Sequence, residues 1–144
     1  MTDISVSTAS YQTEKRSWLL SPHGTEPGAT LSVTLDVSAF TAATHYPNGY
    51  IKSGIVVARL TTTGLWVPYV DAGANGAGTA GGILFSSVKV PDLAALTKDV
   101  GAAVLVHGFV SESKLLGVVA DAATGGGFID ANGKTDLKLI HFGL

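Results

Sequence analysis

The sequence predicts a mainly β fold with one or two short helices, an α+β chain forming a single compact sandwich- or barrel-like domain behind a mobile N-terminal arm. Three observations carry that reading. Leu31, Val33, Leu35 and Val37 alternate with Ser32, Thr34, Asp36 and Ser38, the period-two pattern of a strand with one buried face. Further runs rich in β-branched residues lie between Gly, Pro and Asn clusters, which punctuate strands more than helices. The 144 residues amount to about one domain, since domains commonly run to roughly 100–200 residues, and no repeat or second unit is visible.

Residues 1–17 form the arm and residues 18–144 the domain. Seven of the first seventeen residues are Ser or Thr, and such a segment buries too little apolar surface to offset its ordering entropy. Ile4, Val6 and Thr8 nevertheless alternate, as a strand does when a partner offers a free sheet edge. Trp18, Leu19 and Leu20 then mark the point where the arm anchors to the body. After the Leu31–Val37 strand, Pro47-Asn48-Gly49 is a turn. Tyr50–Leu60 reads as a strand, Thr61–Gly64 as a turn and Leu65–Val70 as the next strand. Asp71–Gly82 is a Gly-rich loop, and Gly82–Val90 a strand closed by Pro91. Asp92–Lys98 is at most a short helix with Asp92 as N-cap. Val100–Val110 is expected to be the most buried strand. Leu115–Ala123 is ambiguous, and Gly125–Gly127 breaks it. Asp130–Leu137 allows a short helix that Asn132-Gly133 weakens, and Lys138–Phe142 makes the final strand.

Composition narrows the function classes. Hydrophobic residues make up 46% of the chain and charged ones 14%, against about 25% charged in an average soluble protein. A globule of this size has roughly 7,000 Å² of surface to cover, and large apolar patches mark interaction sites. The expectation is a protein that assembles with something. No apolar run reaches the ~18 residues of a membrane span, and MTDISVSTAS lacks the pattern of a secretory signal. The absence of Cys removes disulfides, thiolate zinc sites and cysteine nucleophiles. A net charge of −2 with scattered Lys and Arg gives no footprint for nucleic acid.

Four motifs tempt and fail. Gly76–Gly81 fits G-x-G-x-x-G, but it leads into a strand and so offers no helix N-terminus to a pyrophosphate. Gly133-Lys134-Thr135 ends like a P-loop, yet Phe128 stands where its first Gly belongs. Asp130–Asp136 resembles a calcium loop, with Lys134 inside the cage. Ser111–Lys114 matches S-x-x-K without the companion elements of penicillin-recognising enzymes. His23, His45, His107 and His141 include no pair at metal-ligand spacing, and His107 reads as a core or interface residue. No catalytic, cofactor-binding or metal-binding residues are expected, and the chain is not read as an enzyme.

The ordered segments resemble those of a known family. Trp18-Leu19-Leu20 is followed by Leu35-Asp36 with Phe40-Thr41, then by Tyr46–Gly54 (YPNGYIKSG) and Thr63–Tyr69 (TGLWVPY). Gly81–Phe85 (GGILF), Asp99–Val110 (DVGAAVLVHGFV) and Leu139–Phe142 (LIHF) complete the series. From Trp18 onward this is similar to the lambda-type head decoration proteins of tailed phages. The departure lies in the C-terminal third, where Leu116–Phe128 carries a Gly triplet and the helical segment contains Asn132-Gly133.

That resemblance implies a non-enzymatic capsid-stabilising protein of the virion exterior, made in the host cytoplasm. Such proteins bind the expanded capsid as homotrimers at three-fold and quasi-three-fold positions and clamp the major capsid protein. Nucleic acid, membrane and cofactors play no part. Their arms are mobile in solution and order on the capsid by adding to its β-structure. By this resemblance Ile4, Val6, Thr8 and Tyr11 are the docking residues, with Trp18, Leu19 and Leu20 as anchor or interface. A different class of reading is a small β-barrel binding module, for glycans as an example, with Trp66 and Tyr69 as stacking platforms; otherwise those two residues are core.

Overall fold

The alternating segment near the start of the domain forms the first strand, β1 (Leu31–Leu35), of a closed five-stranded barrel in a computed structural model. The structure describes residues 4–6, 13–115 and 126–143. Thr8, Tyr11 and most of the ambiguous Leu115–Ala123 segment lie outside the described residues. Around the barrel the order is β1, β4 (Trp66–Pro68), β3 (Val56–Arg59), β5 (Gly82–Leu84) and β7 (Val100–Leu105). Two small sheets sit outside it. One pairs β2 (Tyr50–Ile51) with β6 (Val88–Lys89), antiparallel. The other pairs β8 (Gly108–Ser111) with the terminal β9 (Ile140–Gly143), parallel. The short helices are α1 (Ala42–His45) and α2 (Ala131–Asp136). With two short α-helices among the described residues, the mainly β class is as the pattern predicts.

Burial explains which strands alternate and which do not. β1 buries Val33 and Leu35 but exposes Ser32 and Thr34, so only its inner face is covered. Val33 and Leu35 join Val57, Trp66, Leu84 and Val104 in one apolar cluster, the barrel lumen. Val56, Ala58, Ile83 and Leu105 point the other way, into a second cluster with Trp18, Tyr69, Val110, Ile129 and Ile140. That outer core is roofed by β8, β9 and the chain around Trp18. Strands buried on both faces read as continuous apolar runs, which is why Ile55–Ala58 carries no alternation.

Several expected elements are corrected. The Tyr50–Leu60 strand is two, because Lys52–Gly54 turns the chain at Gly54, φ +87°, where a Cβ would sit 3.1 Å from the Trp18 ring. Gly82–Val90 is likewise divided by Phe85–Ser87, whose polar groups bind the N-terminal segment. Val100–Val110 breaks at Val106-His107, where the chain leaves the barrel for the outer sheet. It is not the most buried strand: within β7 only Val104 and Leu105 are buried, whereas all of β4 and β5 is. Asp92 accepts from the Ala94 and Ala95 N–H groups as a cap should. No helix follows, since Leu96 turns to φ +51° after one turn.

α1 was not foreseen in the sequence, while α2 forms despite its Asn-Gly. Asp130 Oδ1 accepts the Gly133 N–H at 2.7 Å, an N-cap worth about 1 kcal/mol. Gly133 itself is buried beneath Ile129 and Tyr69, so the residue that lowers helix propensity lets the helix pack closely.

Candidate functional site

The root of the N-terminal segment is its most constrained part. In an extended stretch residues two apart share a side, and Glu14 and Arg16 both reach the Phe85–Ser87 turn. Arg16 Nε donates to the Phe85 carbonyl at 2.7 Å and Nη2 to Ser86 Oγ at 3.0 Å. Its guanidinium also lies 4.2 Å from the centre of the Phe85 ring, a cation–π contact. Glu14 Oε2 accepts the Ser87 N–H at 2.8 Å. Charged partners make such bonds roughly twice as strong as neutral ones, although both side chains stay about a third exposed and part of that gain is screened.

Trp18, Leu19 and Leu20 lie against the domain just after this latch. Trp18 is 2% exposed, and its Nε1 donates to Ser53 Oγ at 3.3 Å. Leu19 forms an antiparallel bridge with Val110. The Ser111 N–H donates to the Trp18 carbonyl at 2.7 Å, and the Leu20 N–H to the Phe109 carbonyl at 3.0 Å. The segment thus covers the edge of β8. Among the described residues, side-chain bonds to the body already occur at Glu14 and Arg16, upstream of Trp18. Sequence reasoning passed over Glu14 and Arg16, and the available signal was an opposite-charge pair two residues apart in a Ser/Thr-rich stretch.

The tip differs sharply from the root. Ile4 and Val6 are 86% and 87% exposed, so neither packs on its own domain. Large exposed apolar side chains also gather on the outer face of β8 and β9, with Leu20, Phe109 and Leu139. Phe109 and His141 are register partners there, with rings 5.7 Å apart. His23 lies 5.9 Å from Phe109 and 4.6 Å from His107. Three of the four histidines therefore edge one apolar surface, and His107, half-buried, belongs to it.

The fourth histidine is structural. His45 is fully buried; its Nδ1 accepts the Thr41 N–H at 2.8 Å, which leaves Nε2 to donate to the Gly126 carbonyl at 2.9 Å. Burial pushes its pKa below the usual imidazole range, the Gly126 bond pulls it back up and the Lys52 charge pushes it down. Gly126 and Gly127 do more than end the segment before them. The Gly127 carbonyl accepts from Val56 and its N–H donates to Tyr69, and a Cβ there would lie 2.8 Å from Ile55.

Tyr69 is fully buried, with its hydroxyl 3.0 Å from Asp130; burial, ahead of this bond, raises its pKa. It is core, not a stacking platform, and Trp66 is 7% exposed. Lys134 pairs with Glu112 at 3.0 Å, and Gly76–Gly81 lies in the loop before β5. No cluster of three or more His, Asp or Glu able to hold a metal occurs among the described residues, and no helix there is long and apolar enough to cross a membrane. Comparisons with protein-family models, curated proteins and solved structures find no match for the chain.

Proposed function

We propose that the protein is a structural virion protein that binds the outside of an expanded phage capsid as a trimer, at three-fold and quasi-three-fold sites, and stabilises the shell. The observation that carries this reading is the division of the N-terminal segment: a latched root at Glu14–Leu20 and a tip whose Ile4 and Val6 stand 86% and 87% exposed. A tip of alternating apolar and polar residues adds to a sheet edge of the major capsid protein, its ordering entropy offset by main-chain hydrogen bonds. Thr8 and Tyr11 belong to the same docking stretch.

A clamp also needs a surface for its own copies. The Leu20–Phe109–Leu139 face supplies apolar side chains for one, and a standard interface hides about 800 Å² on each partner. Burying such a face accounts for a chain with only 14% charged residues. The series of segments shared with head decoration proteins supports the same role. The glycan-binding alternative has lost Tyr69 as a platform, and no observation favours it.

Expanded capsids lacking decoration test the proposal. Mixed with the full-length protein and pelleted, they carry it down with three copies at each three-fold site. Failure of the wild-type protein to pellet with its matching shells contradicts the reading.

A further inference from the structure

One seam of the barrel is nearly unpaired. β1 meets β4 at a single register position, Leu35 beside Trp66, where the Asp36 N–H donates to the Trp66 carbonyl at 2.9 Å. Backbone groups of successive strand residues face opposite neighbours, so the even-numbered residues of β1 face β4. The odd-numbered ones face β7, in keeping with the Phe85 N–H bonding Ala103 on β7's other side. Above Trp66 the two chains diverge and wall a groove of about 420 Å³, with Leu31–Thr34 on one side, Thr63–Trp66 on the other and Arg59 among the lining residues. Ser32 turns its N–H and C=O into this groove. Arg59 is exposed and has no ion-pair partner among the described residues.

We propose that this groove takes the arm tip, residues 1–6, of a second copy of the chain, added as a strand beside β1. The tip matches the strand it would join. Ile4-Ser5-Val6 repeats the apolar–Ser–apolar order of Leu31-Ser32-Val33, so pairing Ser5 with Ser32 sets apolar residues beside apolar ones on the face of Val33 and Trp66. Cross-strand pairs of this kind stabilise a sheet and fix its register. Charge agrees as well: Asp3 is the only charged side chain in residues 1–13, and Arg59 is the cation in the groove.

The chain's own tip leaves the groove unfilled, since Ile4 and Val6 stand 86% and 87% exposed on their own domain, and a second copy is the occupant that remains. The root packs where β3 begins, with Trp18 against Gly54 and Arg16 on Phe85. The groove lies where β3 ends, at Arg59. An arm leaving one end of the barrel and a groove at the other make a head-to-tail contact, which closes as a ring when the rotation permits. The trimer of the proposed function is such a ring, and only the copy number rests on that reading. This seating departs from the arm mobility in solution that the resemblance implies: the tip covers a bare edge of its neighbour, as natural proteins do to prevent unwanted pairing, and on a capsid the shell competes for the same residues.

The chain has no Cys, which permits a direct test on the full-length protein. Ser5→Cys and Ser32→Cys are introduced together and joined by oxidation or by a short bismaleimide. The expected result is a ladder of covalent oligomers on a non-reducing gel, ending at the closed ring. A control pairing Ser5→Cys with Ser113→Cys, exposed at a distant turn, gives no ladder. Asp3→Lys slows the Ser5–Ser32 linkage by about 2- to 5-fold, the range of an exposed ion pair, and adding Arg59→Glu restores it. Absence of linkage, an equal ladder from the control, or a link confined within single chains overturns the proposal. Shell binding is not read in this experiment, so its failure is separable from failure of the decoration role.

Discussion

Two strand edges of this molecule are treated differently. At β8 the chain covers its own edge: Trp18 and Leu20 exchange backbone bonds with Ser111 and Phe109, and Arg16 and Glu14 fasten the stretch to Phe85–Ser87. At β1 the edge from Leu31 to Thr34 is left open beside a groove. The same N-terminal segment contains both the cover, at its root, and a strand-like tip that covers nothing on its own domain. The difference comes from side chains. The root owns a large buried aromatic residue and two charged latches, while the tip has only Ile4 and Val6, too little apolar area to stay on a body without a partner edge.

The largest effect should come from breaking the covered edge. Trp18→Ala removes a side chain in contact with Gly54 and bonded to Ser53; truncating a buried aromatic residue costs about 3–5 kcal/mol. Chemical denaturation should show an unfolding free energy lowered by that amount, read as a lower midpoint at unchanged slope. A proline pair compares the two edges directly. Leu20→Pro removes the N–H that bonds Phe109 and should cost about 2 kcal/mol or more, since a ladder donor is lost and its acceptor left bare. Ser32→Pro, whose N–H faces the groove, should cost the dilute monomer under about 1 kcal/mol, because Pro is tolerated on free edges. Equal losses would mean that the β1 edge is covered in the folded monomer.

A smaller, pH-dependent effect tests a third cover, the Gly126–Gly127 strip laid over β3 and pinned by His45. Its folded-state pKa lies below the unfolded value, so the unfolded chain binds more protons as the solution is acidified. The contribution is therefore present above the unfolded imidazole value of about 6.5 and lost as pH falls below it. Between pH 7.5 and 5 wild type should lose more unfolding free energy than His45→Gln, in urea titrations at each pH. Parallel losses in the two proteins contradict this role for His45.

Much of the fold was legible because it follows from local pattern. The alternation of Leu31–Leu35, the Pro47–Gly49 turn and the anchoring by Trp18 can each be read from a few neighbouring residues. What was missed depends on distant partners. The breaks at Gly54 and Phe85–Ser87 exist because residues 14–18 pack there from far away in sequence, and α1 ends in His45, whose Nε2 bonds the distant Gly126 carbonyl. Continuous apolar runs such as Val100–Val110 say that a strand is buried but not where it leaves one sheet for another. At the candidate site, the anchor residues were visible as a hydrophobic cluster, whereas the Glu14 and Arg16 latch needed the Phe85–Ser87 turn in place.

Shell binding by a tip variant reads the docking role of Ile4 and Val6. Ile4→Lys/Val6→Lys, confirmed as folded by circular dichroism, is titrated against expanded undecorated capsids beside wild type, with bound protein measured after pelleting. Loss of two apolar docking side chains, each worth about 1.5–3 kcal/mol when fully buried, predicts at least a tenfold weaker association for the variant while wild type saturates the three-fold sites. Equal binding of the two proteins would contradict the assignment of the tip as the strand that the capsid receives.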